Sequence, residues 1–135
     1  MSYKLVFAYV LVLIWSVAGA STFDTMVSFE EVVKNVSQSL KDADAKKLST
    51  FFDNNVSLSL GRDEGSFTKF QAELLLSDFF QTNKVSELKE VQRANNASTS
   101  FVVFSMKAGS KNYRVFVKFI LASNKVFKIS EIRIE

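Results

Sequence analysis

The sequence predicts an α+β fold in which three helices from the N-terminal half pack on a curved, mainly antiparallel sheet. Three strand-like runs lie within Ser100–Glu135, separated by Asn, Gly and Ser residues, and this spacing is typical of an antiparallel meander. Amphipathic segments precede the meander, and their apolar stripes are placed to cover one face of it. The chain of 135 residues is 47% hydrophobic and 13% aromatic, which favours one packed domain over disorder.

Residues 1–20 are typical of a secretory signal peptide, which leaves 21–135 as the mature domain. Lys4 precedes an apolar run from Leu5 to Trp15, and small residues end the segment at Ala18-Gly19-Ala20. We therefore predict cleavage between Ala20 and Ser21 and a periplasmic or secreted protein. Because the apolar run is shorter than the roughly 20 residues that span a bilayer, we expect no membrane span after cleavage.

The first two predicted helices follow the signal peptide. Helix 1 is predicted over residues 28–43, where Ser28 and Glu31 form a capping box. Its apolar residues recur at helical spacing, which predicts a buried stripe of Phe29, Val32, Val33, Val36 and Leu40. Asp44 is predicted to cap helix 2 over Ala45–Phe52, and Asp53-Asn54-Asn55 is predicted to end that helix in a turn.

A strand and a third helix come next. Val56–Leu60 alternates apolar and polar residues, which predicts a strand with one wet face. Gly61–Gly65 is predicted to be a polar loop, and Ser66-Phe67 a short return strand. Thr68 and Gln71 form a second capping box, which opens helix 3 over Lys69–Gln81.

The remaining chain is predicted to form four strands, over residues 84–93, 101–106, 113–122 and 126–134. In the third of these, one face carries Tyr113, Val115, Val117, Phe119 and Leu121, and it is expected to lie on the core. The other face carries Arg114, Phe116, Lys118, Ile120 and Ala122, and it is expected to be a contact surface. Ser123-Asn124 is predicted to be a tight hairpin turn. In the last strand the apolar phase shifts, which predicts a bulge near Ser130-Glu131.

Composition excludes several classes of site. The chain has no cysteine and no histidine, so thiolate nucleophiles, Ser-His-Asp triads and thiolate or imidazole metal sites are excluded. Without Lys4 there are 16 basic and 14 acidic residues, a net charge of +2 that is too small for a nucleic-acid footprint. Asp42, Asp44 and Asp53 lack the spacing of a calcium loop. We therefore expect no cofactor, no metal and no nucleic-acid partner.

Two stretches carry a family resemblance. They are Leu48–Leu60, with its Phe51-Phe52 pair, and Ser66–Leu75. Together with the acidic and apolar ending Ile129–Glu135, they resemble the family called domain of unknown function 4783, over about residues 27–135. The resemblance implies an exported protein of a Gram-negative-type bacterium with a nuclear-transport-factor-2-like, cystatin-like cone. It also implies a cavity between helices and sheet and, in many relatives, dimers through the open sheet face.

Two functional hypotheses stay open on these residues. The first is a non-catalytic module that binds a small apolar ligand or a protein partner, or forms a homodimer. Its candidate pocket or interface residues are Phe52, Phe79, Tyr113, Phe116 and Ile120. The alternative is an acid/base enzyme of the ketosteroid-isomerase type, with Glu131 or Asp53 as base and Tyr113 polarising a carbonyl. That enzyme requires the carboxylate and the hydroxyl to converge in one pocket.

Overall fold

The computed structural model describes residues 28–96 and 99–135, and these residues form three helices and six strands. The predicted signal peptide and its cleavage site, Ala20 and Ser21, lie outside the described residues. The helices are α1 (Phe29–Lys41), α2 (Ala45–Ser49) and α3 (Lys69–Thr82). The strands are β1 (Phe52–Leu60), β2 (Asp63–Thr68), β3 (Val85–Asn95), β4 (Ser100–Ala108), β5 (Lys111–Leu121) and β6 (Phe127–Ile134).

The six strands form one mixed sheet in the order β2-β1-β6-β5-β4-β3. Strands β3 to β6 pair in sequence and antiparallel, so the predicted meander is confirmed. Strand β1 runs parallel to β6, and β2 pairs with β1 in a hairpin. The sheet is not closed, since β2 and β3 are its two edges.

The helices begin where the capping residues predict. The Ser28 hydroxyl accepts a hydrogen bond from the Glu31 backbone N–H at 3.2 Å. At Thr68 the reciprocal pair with Gln71 is complete, with distances of 3.2 and 3.0 Å. The predicted stripe of α1 is confirmed, because all five of its apolar residues are buried against the sheet.

The prediction for the end of α2 was wrong. The helix ends at Ser49, and the Phe51 carbonyl accepts a hydrogen bond of 2.7 Å from the Ile129 backbone N–H. Phe52 then pairs with Ile129, so the chain enters the sheet four residues before Val56. Pairing with β6 outweighs the helical pattern of the Phe pair, because it satisfies backbone groups that a longer helix would leave buried and unpaired. Asp53 therefore lies in a strand and not in a helix-end turn.

The predicted loop over Gly61–Gly65 is also shorter than expected. Strand β2 begins at Asp63, which pairs with Leu60 across the hairpin. Only Gly61 and Arg62 remain in the turn, where Gly61 has a φ of +62°, a backbone conformation that glycine adopts without a steric penalty. The turn therefore accounts for a glycine at position 61, whereas Gly65 lies within strand β2.

Strand β6 contains the predicted bulge. Lys118 pairs with Glu131 and Phe119 pairs with Ile129, so Ser130 is the extra residue. Because side chains alternate along a strand, this extra residue resets the phase. Ile129, Ile132 and Ile134 are consequently all buried in the core, at most 2% exposed.

The core lies between the helices and one face of the sheet. Val115, Val117 and Phe119 of β5 are buried there, as predicted. Leu121 was predicted on the same face, but it is 57% exposed because it lies at the end of the strand, beyond the packed helices. Within the described part of the chain, no helix is both long and apolar enough to cross a membrane.

Candidate functional site

The sheet has an outer face, which we define as the face turned away from the helices. Strand pairing aligns its residues in rows across the sheet. One row is Gln92, Val103, Phe116, Arg133, Ser59 and Glu64. The next row is Ala94, Phe101, Lys118, Glu131, Ser57 and Ser66. The β3–β5 half of this face is therefore mainly apolar, and the β6–β2 half is polar.

An aromatic pair forms the centre of the outer face. The rings of Phe101 and Phe116 lie 5.5 Å apart, centroid to centroid, and their planes are tilted by 32°. Val103 lies between them on β4, opposite Phe116, and it is 1% exposed although it is not part of the helix-covered core. Ile120, farther along β5, is 37% exposed. The two rings thus shield Val103 while remaining partly open to solvent themselves.

Charged side chains surround this apolar centre. Arg114, Lys118 and Arg133 supply positive charge, and Glu131 and Glu135 supply negative charge. Within the described residues, Arg133 forms an ion pair with Glu135 at 2.9 Å, whereas Lys118 and Glu131 are neighbours across the strands without an ion pair. A groove of about 230 Å³ opens among Arg114, Phe116, Arg133 and Glu135. The outer face therefore offers apolar, cationic and anionic groups side by side.

The five predicted pocket or interface residues fall on two sides of the sheet. Phe116 and Ile120 lie on the outer face, as predicted. Phe52 is buried in the core at 2% exposure. Phe79 and Tyr113 pack edge to face on the helix side, with ring centroids 5.4 Å apart. The Tyr113 hydroxyl donates to Asn83 Oδ1 at 3.5 Å, so it has a structural partner at the end of α3.

The residues of the enzyme hypothesis do not converge. Glu131 pairs with Lys118 on the outer face, whereas Tyr113 packs on Phe79 on the helix side. Asp53 follows Phe52, which pairs with Ile129 of β6, and Ile129 pairs in turn with Phe119 of β5. Phe119 is six residues from Tyr113 along β5. At about 3.4 Å per residue, this separation is roughly 20 Å. Neither carboxylate is therefore placed to act on one substrate together with the Tyr113 hydroxyl.

The grooves among the described residues are open to the solvent. One of about 460 Å³ lies beside the β5–β6 hairpin, between Ser100, Lys118 and Phe127. On the helix side, residues such as Val36, Leu58 and Leu76 are fully buried against one another, so side chains fill the space there. Within residues 28–96 and 99–135, no group of three or more acidic residues is placed to hold a metal ion.

Phe101 and Val103 belong to this surface but were not among the predicted interface residues. The signal was present, because an apolar residue at every position of Phe101–Phe104 requires cover on both faces of the sheet. The exposure of Leu121 was not predicted, because the helices that pack on β5 end before the strand does.

Comparison with known proteins agrees with this architecture. A protein of the DUF4783 family from Bacteroides uniformis ATCC 8492 is 24% identical, with a TM-score of 0.72 over 77% of this chain and 95% of that one. Another, from Bacteroides fragilis YCH46, is 26% identical, with a TM-score of 0.68 over 74% and 93%. A ketosteroid isomerase-like protein from Erwinia carotovora atroseptica SCRI1043 is 10% identical, with a TM-score of 0.66 over 83% and 95%.

These likenesses confirm the α+β cone, and the isomerase-like protein shares the fold alone. No curated protein matches the chain significantly. The family model described as a domain of unknown function, DUF4783, matches residues 33–135, which is most of the chain and includes every strand. The chain therefore belongs to the DUF4783 family.

Proposed function

We propose that this chain is an exported, non-catalytic interaction module that pairs with a second copy of itself through the outer face of its sheet. The observation that carries the proposal is the Phe101–Phe116 pair over Val103 on a sheet face that the three helices leave open. Exposed aromatic residues clustered beside charged ones are typical of protein interfaces. Export rests on the predicted signal peptide.

The size of the face suits a dimer. Six strands about 4.8 Å apart, each contributing about eight residues at 3.4 Å, give a surface on the order of 700 Å². Stable complexes bury about 800 Å² on each partner. A homodimer is commonly two-fold symmetric, so one patch must complement itself. An apolar centre with both signs of charge around it meets this requirement.

The charges support self-association in particular. Lys118 and Glu131 are adjacent on the outer face and form no ion pair within the described chain. When two copies face each other about a two-fold axis, Lys118 of one copy can meet Glu131 of the other, and the reverse contact follows by symmetry. A partner of single charge would leave one of these groups unpaired.

The arrangement of the carboxylates supports a non-catalytic role. Glu131 lies on the face opposite Tyr113, and Asp53 is about 20 Å from it along the sheet. Acid/base catalysis on a small substrate needs both groups within hydrogen-bonding reach of that substrate. Glu131 is accordingly assigned to the interface and Tyr113 to the contact with Phe79 and Asn83.

Phe116→Lys tests the proposal. Sedimentation equilibrium of the unchanged protein should show a dimer, and Phe116→Lys should weaken it about 100-fold or more, because a charge would be buried at an apolar centre. The matched control is Phe70→Lys, since Phe70 is 66% exposed on α3 and away from the outer face. A dimer that survives Phe116→Lys unweakened would show that the outer face is not the interface.

A further inference from the structure

The hairpin between β5 and β6 carries apolar side chains at its surface. Leu121 is 57% exposed and Ile120 is 37% exposed. Because consecutive residues of a strand point to opposite faces, these two place apolar surface on both sides of the hairpin. Apolar side chains beside lysines are the combination found in segments that bind the membrane interface.

The turn that joins the two strands has a defined backbone. The Ala122 N–H donates to the Val126 carbonyl at 2.9 Å, and the Lys125 N–H donates to the Ala122 carbonyl at 2.8 Å. Asn124 Oδ1 accepts from the Val126 N–H at 3.3 Å. Lys125 itself has a φ of +62°. These three hydrogen bonds hold the backbone of the turn, so less backbone entropy is lost when the hairpin binds.

The charge at the tip of the hairpin has one sign. Lys125 and Lys128 lie there, and neither forms an ion pair within the described residues. The sequence has no Asp or Glu from Val91 to Ser130, a stretch with seven Lys and Arg residues. The small net charge of the whole chain does not show this uneven distribution of basic and acidic residues along the sequence.

Acidic groups lie at two places near this end of the sheet. Glu131 is opposite Lys118, two residues farther from the turn than Ile120. Phe29 packs on Phe119 and Phe127, with ring centroids 5.3 Å apart in both pairs, so Glu30 and Glu31 follow it in the first turn of α1, where Glu30 is 4.0 Å from the Arg93 guanidinium. Lys125 and Lys128 lie nearer the turn than Glu131, so the tip itself keeps an excess of positive charge.

We propose that the β5–β6 tip, defined as Ile120–Lys128, docks on an anionic lipid surface. Leu121 and Ile120 enter the headgroup region, while Lys125 and Lys128 extend their charged ends to the lipid phosphates. A second copy of the chain is a poor occupant of this tip, because it would bring the same two lysines against it. The inference does not depend on dimerisation through the outer face.

Vesicle co-sedimentation tests the proposal, using protein purified from cells that export it. The protein should bind vesicles of phosphatidylcholine mixed with phosphatidylglycerol and should not bind vesicles of phosphatidylcholine alone. Added salt should weaken the binding, since the lysines act by charge. Lys125→Asn with Lys128→Gln should weaken it about 25-fold, because each lysine near an anionic surface contributes about fivefold. Asn is chosen at 125 because it tolerates a positive φ.

Leu121→Ser separates apolar insertion from charge, and it should weaken binding about tenfold. The matched control for the lysines is Lys84→Gln with Lys111→Gln, at the opposite end of the sheet. The control for Leu121 is Leu74→Ser, since Leu74 is 51% exposed on α3. Both controls should bind as the unchanged protein does, and thermal unfolding should show that every variant is folded.

Three results would overturn the proposal. One is absence of binding to the anionic vesicles. Another is a loss of binding in the Lys84/Lys111 control as large as in the Lys125/Lys128 variant. The third is that Leu121→Ser binds each kind of vesicle as strongly as the unchanged protein does. If the Lys125/Lys128 variant fails to fold, Leu121→Ser and its Leu74 control decide the question alone.

Discussion

Glu131 lies directly across from Lys118 on the outer face because Ser130 bulges out of strand β6. If Ser130 were instead paired as a regular strand residue, the side chain at 131 would alternate to the core and Ile132 and Ile134 would point to the outer face. One bulge therefore decides both that β6 contributes three isoleucines to the core and that an acidic group stands beside the aromatic centre.

Deletion of Ser130 should leave the protein folded. It removes the bulge, and the remaining residues of β6 still alternate with Ile129, Ile132 and Ile134 on the core. The control is deletion of Ser105, a regularly paired residue of β4, which reverses the face of either Phe104 or Met106 and of the buried residues beyond it. Exposing two such side chains costs roughly 3–6 kcal/mol, a large part of the stability of a small domain, so the control should unfold. Circular dichroism checks both, and a Ser130 deletion that unfolds as the Ser105 deletion does would contradict the account of the bulge.

Leu58→Ala should destabilise the domain by about 2–5 kcal/mol in urea unfolding, because it leaves a cavity at a fully buried position of β1. Leu74→Ala removes the same atoms from a side chain that is half exposed and should cost less than about 1 kcal/mol. Similar losses from both variants would mean that the space between helices and sheet is not closely packed.

Thr68→Ala should cost about 1 kcal/mol of unfolding free energy, because the threonine hydroxyl accepts from the Gln71 N–H at the start of α3. Thr82→Ala is the control at the other end of the same helix. Its hydroxyl donates to the Asp78 carbonyl, which water can replace, so a loss under about 0.5 kcal/mol is expected. Equal losses at the two ends would contradict a capping role for Thr68.

Reversing one charge of the Lys118–Glu131 neighbours should weaken the proposed dimer. Lys118→Glu puts like charges across the interface, and a loss of about tenfold in dimer affinity is expected at low salt. The double variant Lys118→Glu with Glu131→Lys should recover most of it, because the signs are again complementary. Sedimentation velocity measures both. A double variant as weak as the single one would argue against this charge contact.

Much of the fold could be predicted from the sequence because local and long-range signals agree there. The Thr68–Gln71 box and the stripe of α1 each specify a helix and the face that it buries. The phase shift from Ile129 to Ile132 predicted the bulge. These are signals within a few residues, and the sheet imposes the same outcome.

The remaining features depend on partners distant in sequence. Phe52 and Asp53 read as the end of a helix, but pairing with Ile129, 77 positions later, takes them into the sheet. Leu121 alternates as a core residue, and only the extent of the helices shows that the described residues leave it exposed. The grouping of Phe101 with Phe116 required the register between β4 and β5, which no local pattern supplies.

Native mass spectrometry of the protein purified from the cells that export it tests self-association most directly. The account predicts a species of twice the chain mass without an adduct, and a shift to the single-chain mass in Phe116→Lys but not in Phe70→Lys. A single-chain species that carries a small lipid-like adduct would contradict it, because the cone would then be a ligand pocket and the outer face would have no partner copy.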